Sequence, residues 1–133
     1  MKFTKYKKDG KTIDSIGECD PKTENLIKVT DYKKDGKTID SINEFDYDPK
    51  TENLIKITKY REDGKTIDSS CEYDPKTENL INETQHNNDG SIDYINEYDP
   101  KTGNPIQFTK YNNDGSVDRI TKYDPNTWGK IIE

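Results

Sequence analysis

The sequence has no alanine, three leucines, one methionine, one tryptophan and one histidine in 133 residues. Without Ala and with so little Leu, it is short of the strongest helix formers, and helix is disfavoured throughout. Leu, Ile, Val and Phe together number 23, while 36% of the residues are charged and the net charge is -6. On average composition alone, such a chain resembles a disordered one rather than a conventional globule. No segment approaches the roughly 18 consecutive apolar residues that a spanning helix needs. The opening Met1-Lys2-Phe3-Thr4 lacks the apolar region of a secretory signal, so the chain reads as cytoplasmic or as the mature part of a cleaved precursor. The 21 basic side chains are interspersed among 27 acidic ones, leaving no positive stripe for nucleic acid. Phosphate-loop, zinc-protease and paired-cysteine motifs are all missing, and the expectation is a protein that is not an enzyme and holds no cofactor.

What the chain does have is strand vocabulary: fifteen Ile, nine Tyr and fourteen Thr. It is also repetitive. Read from each Thr-x-Tyr or its variant, residues 1–133 form one array of five units, 4–29, 30–57, 58–83, 84–108 and 109–133. Repeats of this length bury apolar surface against their neighbours rather than within themselves.

Each unit carries two turns. The first ends in Asp-Gly, with Gly10, Gly36, Gly64, Gly90 and Gly115, and fits a type I turn completed by a left-handed glycine. The second is Asp-Pro-x-Thr-x, where Pro21, Pro49, Pro75, Pro100 and Pro125 preset φ and the preceding Asp can accept hydrogen bonds from the backbone ahead. Short runs between such turns can only return antiparallel. From each Asp-Pro aspartate to the next Asp-Gly aspartate the step is always 15 residues, whereas the other arm steps by 11, 13, 11, 10 and 10. A one-residue change inverts every later side chain unless a bulge absorbs it, so bulges are expected in the variable arm. That arm also repeats apolar residues every third position, as in Ile92, Ile95 and Tyr98, so that either both faces are partly apolar or the strand bends. The fold expected is all-β, with tandem antiparallel hairpins in one elongated, twisted or spiralling sheet. A β-solenoid of about 26 residues per coil is the alternative.

Few residues suggest chemistry. The Asn112-Asn113-Asp114-Gly115 turn is similar to the middle of a calcium loop, but Lys110 and Thr121 would then stand where carboxylates are required. The column Asp14, Asp40, Asp68, Asp93 and Asp118 reads as solvated strand-face charge rather than a metal site. Cys19 and Cys71 lie two repeats apart, about 19 Å in a single layer, too far for a disulfide. His86 takes the place of a tyrosine. The best binding candidates are the column Tyr32, Tyr60 and Tyr111, together with Tyr94 and Trp128, which break the repeat pattern.

The string Thr-x-Tyr-x-x-Asp-Gly-Lys-Thr-Ile, followed by Glu-Tyr-Asp-Pro-x-Thr-Gly, resembles the repeat of an uncharacterised domain family found in phytoplasma proteins. More loosely, it is similar to the tyrosine-aspartate repeats of RHS shell proteins, whose strands coil as a spiral sheet. Here Glu24, Glu52 and Glu78 replace the glycine that stands at Gly103. The resemblance implies a bacterium living inside plant cells and a protein secreted into host cytoplasm to bind a host protein; it implies no catalytic residues. The expected function is therefore a non-catalytic protein-binding scaffold, monomeric or weakly associated end to end, with no nucleic-acid or membrane partner. A surface or adhesive glycan-binding module is the alternative.

Overall fold

The computed structural model describes residues 1–124, 126, 130 and 131. Its strands are β1 (Lys2–Tyr6), β2 (Ile13–Cys19), β3 (Leu26–Tyr32), β4 (Ile39–Tyr47), β5 (Leu54–Tyr60), β6 (Ile67–Tyr73), β7 (Leu80–His86), β8 (Ile92–Tyr98), β9 (Pro105–Tyr111), β10 (Val117–Tyr123) and the short β11 (Lys130–Ile131). They form one open 11-stranded sheet in strict sequence order, with every pair antiparallel. A solenoid would stack equivalent strands in parallel, and no such pair exists among the described residues. None of those residues forms a helix.

The turns behave as their residues dictate. In the first kind, the N–H of Gly10, Gly36, Gly64, Gly90 or Gly115 donates to the carbonyl three residues back. All five glycines have positive φ, the conformation a side chain would penalise. In the second kind, the Asp-Pro aspartate carbonyl accepts from the N–H four residues on, at Glu24, Glu52, Glu78 and Gly103. The left-handed position is thus required here as well, and Glu24, Glu52 and Glu78 occupy it at φ 66°, 62° and 65°. The fifth Asp-Pro turn, with Pro125, lies outside the described residues.

Every hairpin from β1 to β10 carries a bulge, so that both arms are bulged. At the Asp-Gly end the register skips Asp14, Asp40, Asp68, Asp93 and Asp118. At the Asp-Pro end it skips Ile27, Ile55, Ile81 and Ile106. The arm of constant length is therefore bulged too, and the aspartate column is the unpaired residue of each bulge rather than a row of regular strand positions. The one-residue shortening of the last two units is absorbed in the turn: six residues separate Tyr60 from Ile67, but five separate His86 from Ile92. The two extra residues of the second unit lengthen β4, so Ile42 faces Thr30 on one side and Tyr60 on the other.

Cross-strand opposition sorts the side chains into rows. One face carries the row Thr4, Ile16, Thr30 and Ile42, continued beyond the β4–β5 stagger by Thr58, Ser70, Thr84, Ile95, Thr109 and Ile120. This face is the nearest thing to a core: Thr30, Thr58 and Thr109 are 8%, 7% and 5% exposed and Ile42 is 9% exposed. Nothing among the described residues is fully enclosed, as expected of a single layer with no second sheet above it. The every-third-residue pattern follows from the bulges. Asp93 sits between Ile92 and Ile95 and brings both to this face, while Tyr98 falls on the other.

Candidate functional site

Tyr32, Tyr60 and Tyr111 each end an odd-numbered strand, opposite Ile39, Ile67 and Val117. They share the face of the threonine row. Tyr60, His86 and Tyr111 form one line of positions two strands apart, about 10 Å per step, and Tyr32 is offset from it by the stagger in β4. All three rings are half-buried. Burial, with the Glu44 and Asp46 carboxylates beside it, pushes the Tyr60 phenol above its ordinary value. Tyr94 does not join them. The bulge at Asp93 turns it to the opposite face, where its ring lies 5.6 Å from that of Phe108 and Arg119 stacks over Phe108 at 5.8 Å. Trp128 lies outside the described residues.

A second tyrosine row was not singled out from the sequence. Tyr47, Tyr73 and Tyr98 precede the Asp-Pro turns and lie opposite Leu54, Leu80 and Pro105. They occupy the face of Tyr94, together with Phe45, Ile57, Cys71 and Phe108. The Tyr47 hydroxyl donates to the Leu26 carbonyl at 2.7 Å, and burial raises the phenol pKa of all three. The Tyr-Asp-Pro string was the available signal, but its period alone does not say which face a tyrosine takes. The bulges decide that.

Three of the five bulge aspartates, Asp14, Asp68 and Asp93, are paired with cations near the Asp-Gly turns. Lys7 reaches Asp14 at 3.2 Å and Lys110 pairs with Asp93. Arg61 meets Asp68 at 3.0 Å and donates from Nη2 to the His86 carbonyl at 2.6 Å. Arg61 lines an open cleft of about 420 Å³ with Asp40, Lys59, Tyr60 and Glu62, and its buried Nε has no partner. Among the described residues, no group of three or more acidic, His or Cys side chains could hold a metal ion.

Nucleophilic chemistry finds no constellation among the described residues. Cys19 and Cys71 are free thiols on β2 and β6. Burial and the nearby Glu83 push the Cys71 thiol up, away from the reactive thiolate. His86 has Nδ1 3.0 Å from the Gly90 carbonyl and sits on the face opposite Cys71, so no base stands beside a nucleophile. The carboxylates of Asp9, Asp35 and Asp63 are held down at about 2, first by the hydroxyls of Thr12, Thr38 and Thr66 and then by backbone N–H groups. These are turn-closing groups.

No curated protein matches the chain. Among solved structures, one of TarM aligns with 98% of this chain at 14% identity and a TM-score of 0.33. A TarM variant from S. aureus, solved with Fondaparinux, alpha-GlcNAc-glycerol and UDP, aligns at 13% identity and a TM-score of 0.34, again over 98% of this chain. The chain spans only 20% and 21% of the length of those two proteins. A protein with unknown function from Bacteroides fragilis NCTC 9343 aligns at 12% identity and a TM-score of 0.27, covering 96% of this chain and 93% of its own. One family model matches three times in succession, over residues 6–46, 46–85 and 86–133. The chain belongs to that tandem-repeat family, described as "Protein of unknown function (DUF2963)".

Proposed function

We propose that the chain is a non-catalytic repeat scaffold that binds another protein through a face of its sheet. The observation that carries this reading is that a single layer leaves its aromatic and aliphatic rows half-exposed on both faces, with Ile42 the one large hydrophobic counted as buried among the described residues. Rows of tyrosine offer broad amphipathic contact at low entropic cost, the composition favoured in protein interfaces. The resemblance to phytoplasma repeat domains extends the reading to a bacterial effector secreted into host cytoplasm, with a host protein as partner.

The test is co-purification from plant lysate with the folded chain as bait, alongside two double variants, Tyr60→Ala with Tyr111→Ala and Tyr73→Ala with Tyr98→Ala. A stoichiometric protein partner lost with one pair and kept with the other supports the scaffold and identifies the face. Retention on polysaccharide with no protein partner replaces it with a glycan-binding module.

A further inference from the structure

The two ends of the array differ from its middle. β1 is exposed along its whole length, and Phe3 and Tyr6 are 50% and 51% exposed. The Met1 amino group donates to the Cys19 carbonyl and the Cys19 N–H donates to the Met1 carbonyl. By antiparallel alternation, Phe3 and Lys5 turn their backbone groups toward β2, and Lys2 and Thr4 turn theirs outward, where no strand among the described residues pairs with them.

Charge says what belongs there. Lys2, Glu18, Lys28 and Glu44 lie in direct opposition across β1 to β4, with Lys2–Glu18 and Lys28–Glu18 separations of 3.9 and 4.0 Å. Lys28 has a carboxylate on each side, whereas Lys2, at the edge, has one. At the four interior junctions equivalent to that open edge, the preceding strand presents Glu18, Asp46, Glu72 and Glu97 at the position facing Lys28, Lys56, Asn82 and Gln107. An acid stands there every time. Residues 1–11 also hold five lysines and one aspartate in a chain of net charge -6, so this end attracts negative charge that the rest repels.

We propose that the outer edge of β1 is a strand-addition site for an extended acidic protein segment that sets a carboxylate against Lys2 and a β-branched side chain against Thr4. The sequence pattern is Ile-x-Glu, as Ile16-Gly17-Glu18 meets β3 and Ile95-Asn96-Glu97 meets β9. Main-chain hydrogen bonds supply the affinity and the ladder position supplies the register. The far end of a second copy is the wrong complement. β10 is already paired with β11 at Lys122 and Tyr123, and its Arg119 and Lys122 stand where β2 has Ser15 and Glu18, so it offers no free edge there and no carboxylate for Lys2. This edge site is independent of any binding by the sheet faces.

The experiment is fluorescence anisotropy of the full chain with a labelled peptide copying residues 91–99. Saturable binding is expected, weakened at least about tenfold by Thr4→Pro, which removes an outward donor without breaking a bond to β2. Lys2→Glu should weaken it also, and a peptide carrying Glu97→Lys should restore binding to that variant alone. Absence of binding, equal binding by Thr4→Pro that melts like the parent, or indifference to the charge reversal overturns the site. So does a concentration-dependent dimer that Thr4→Pro abolishes, because the occupant is then a second copy.

Discussion

The two turn types make the same demand and answer it differently. Both put one residue in the left-handed region; the Asp-Gly turns fill it with glycine five times, whereas the described Asp-Pro turns fill it with glutamate three times and glycine once. Glutamate there costs about 1 kcal/mol relative to glycine, through its Cβ. The Asp-Pro turns tolerate it because the fold holds them from two sides. Their aspartates accept from backbone N–H groups ahead, as Asp48 does from Thr51 at 2.8 Å, and asparagine side chains tie two of the turns to the next, Asn53 to the Pro75 carbonyl at 2.8 Å and Asn79 to the Pro100 carbonyl at 3.0 Å. Local preference is overridden where hydrogen bonds over-determine the backbone.

Substitutions at the left-handed positions break that comparison most sharply. Gly36→Val is expected to cost about 3 kcal/mol in chemical denaturation, because a Cβ there would also lie 2.7 Å from the Thr12 side chain and 3.1 Å from the Ile13 nitrogen. Gly115→Val faces open space and should lose only the conformational part, about 1–2 kcal/mol. Equal losses would mean the turns do not pack on one another. In the opposite direction, Glu52→Gly should raise stability by about 0.5–1 kcal/mol, and an unchanged melting midpoint would show that the strain is relieved elsewhere. Gly17→Ala, at ordinary φ, is a control: its Cβ would meet the Phe3 ring at 2.2 Å, but that half-exposed ring on an edge strand can swing aside, for a loss below about 1 kcal/mol. The smallest effect per residue is in acid. Asp63 titrates at about 2 in the folded turn and near 3.9 unfolded. The unfolded chain binds that proton first, so its contribution is complete above about pH 4 and is lost as pH falls toward 2. Asp63→Asn should flatten the fall of melting temperature across that window, and an unchanged slope would remove the carboxylate from the account.

Reversals and antiparallel pairing were legible because Gly, Pro and Asp have steric and hydrogen-bonding reasons to be where they are. The left-handed glutamates were not, since nothing about Glu24 or Glu52 as residue types favours positive φ; only their alignment with Gly103 hinted at it. The bulges were half legible. An irregular arm was visible in the spacing, but a bulge repeated identically in every unit, as at Ile27, Ile55, Ile81 and Ile106, leaves the step constant and so leaves no trace in it. For the same reason Tyr32, Tyr60 and Tyr111 could be grouped by sequence position, whereas Tyr94 fell on the other side through a single unpaired residue, Asp93.

Strict nearest-neighbour order has a kinetic meaning as well. Every strand finds its partners immediately before and after itself along the chain, so no distant loop has to close before pairing is rewarded, and zipping can start at any hairpin and spread. The same locality means loosening proceeds from the termini inward, leaving amides midway along the array the slowest to exchange with solvent.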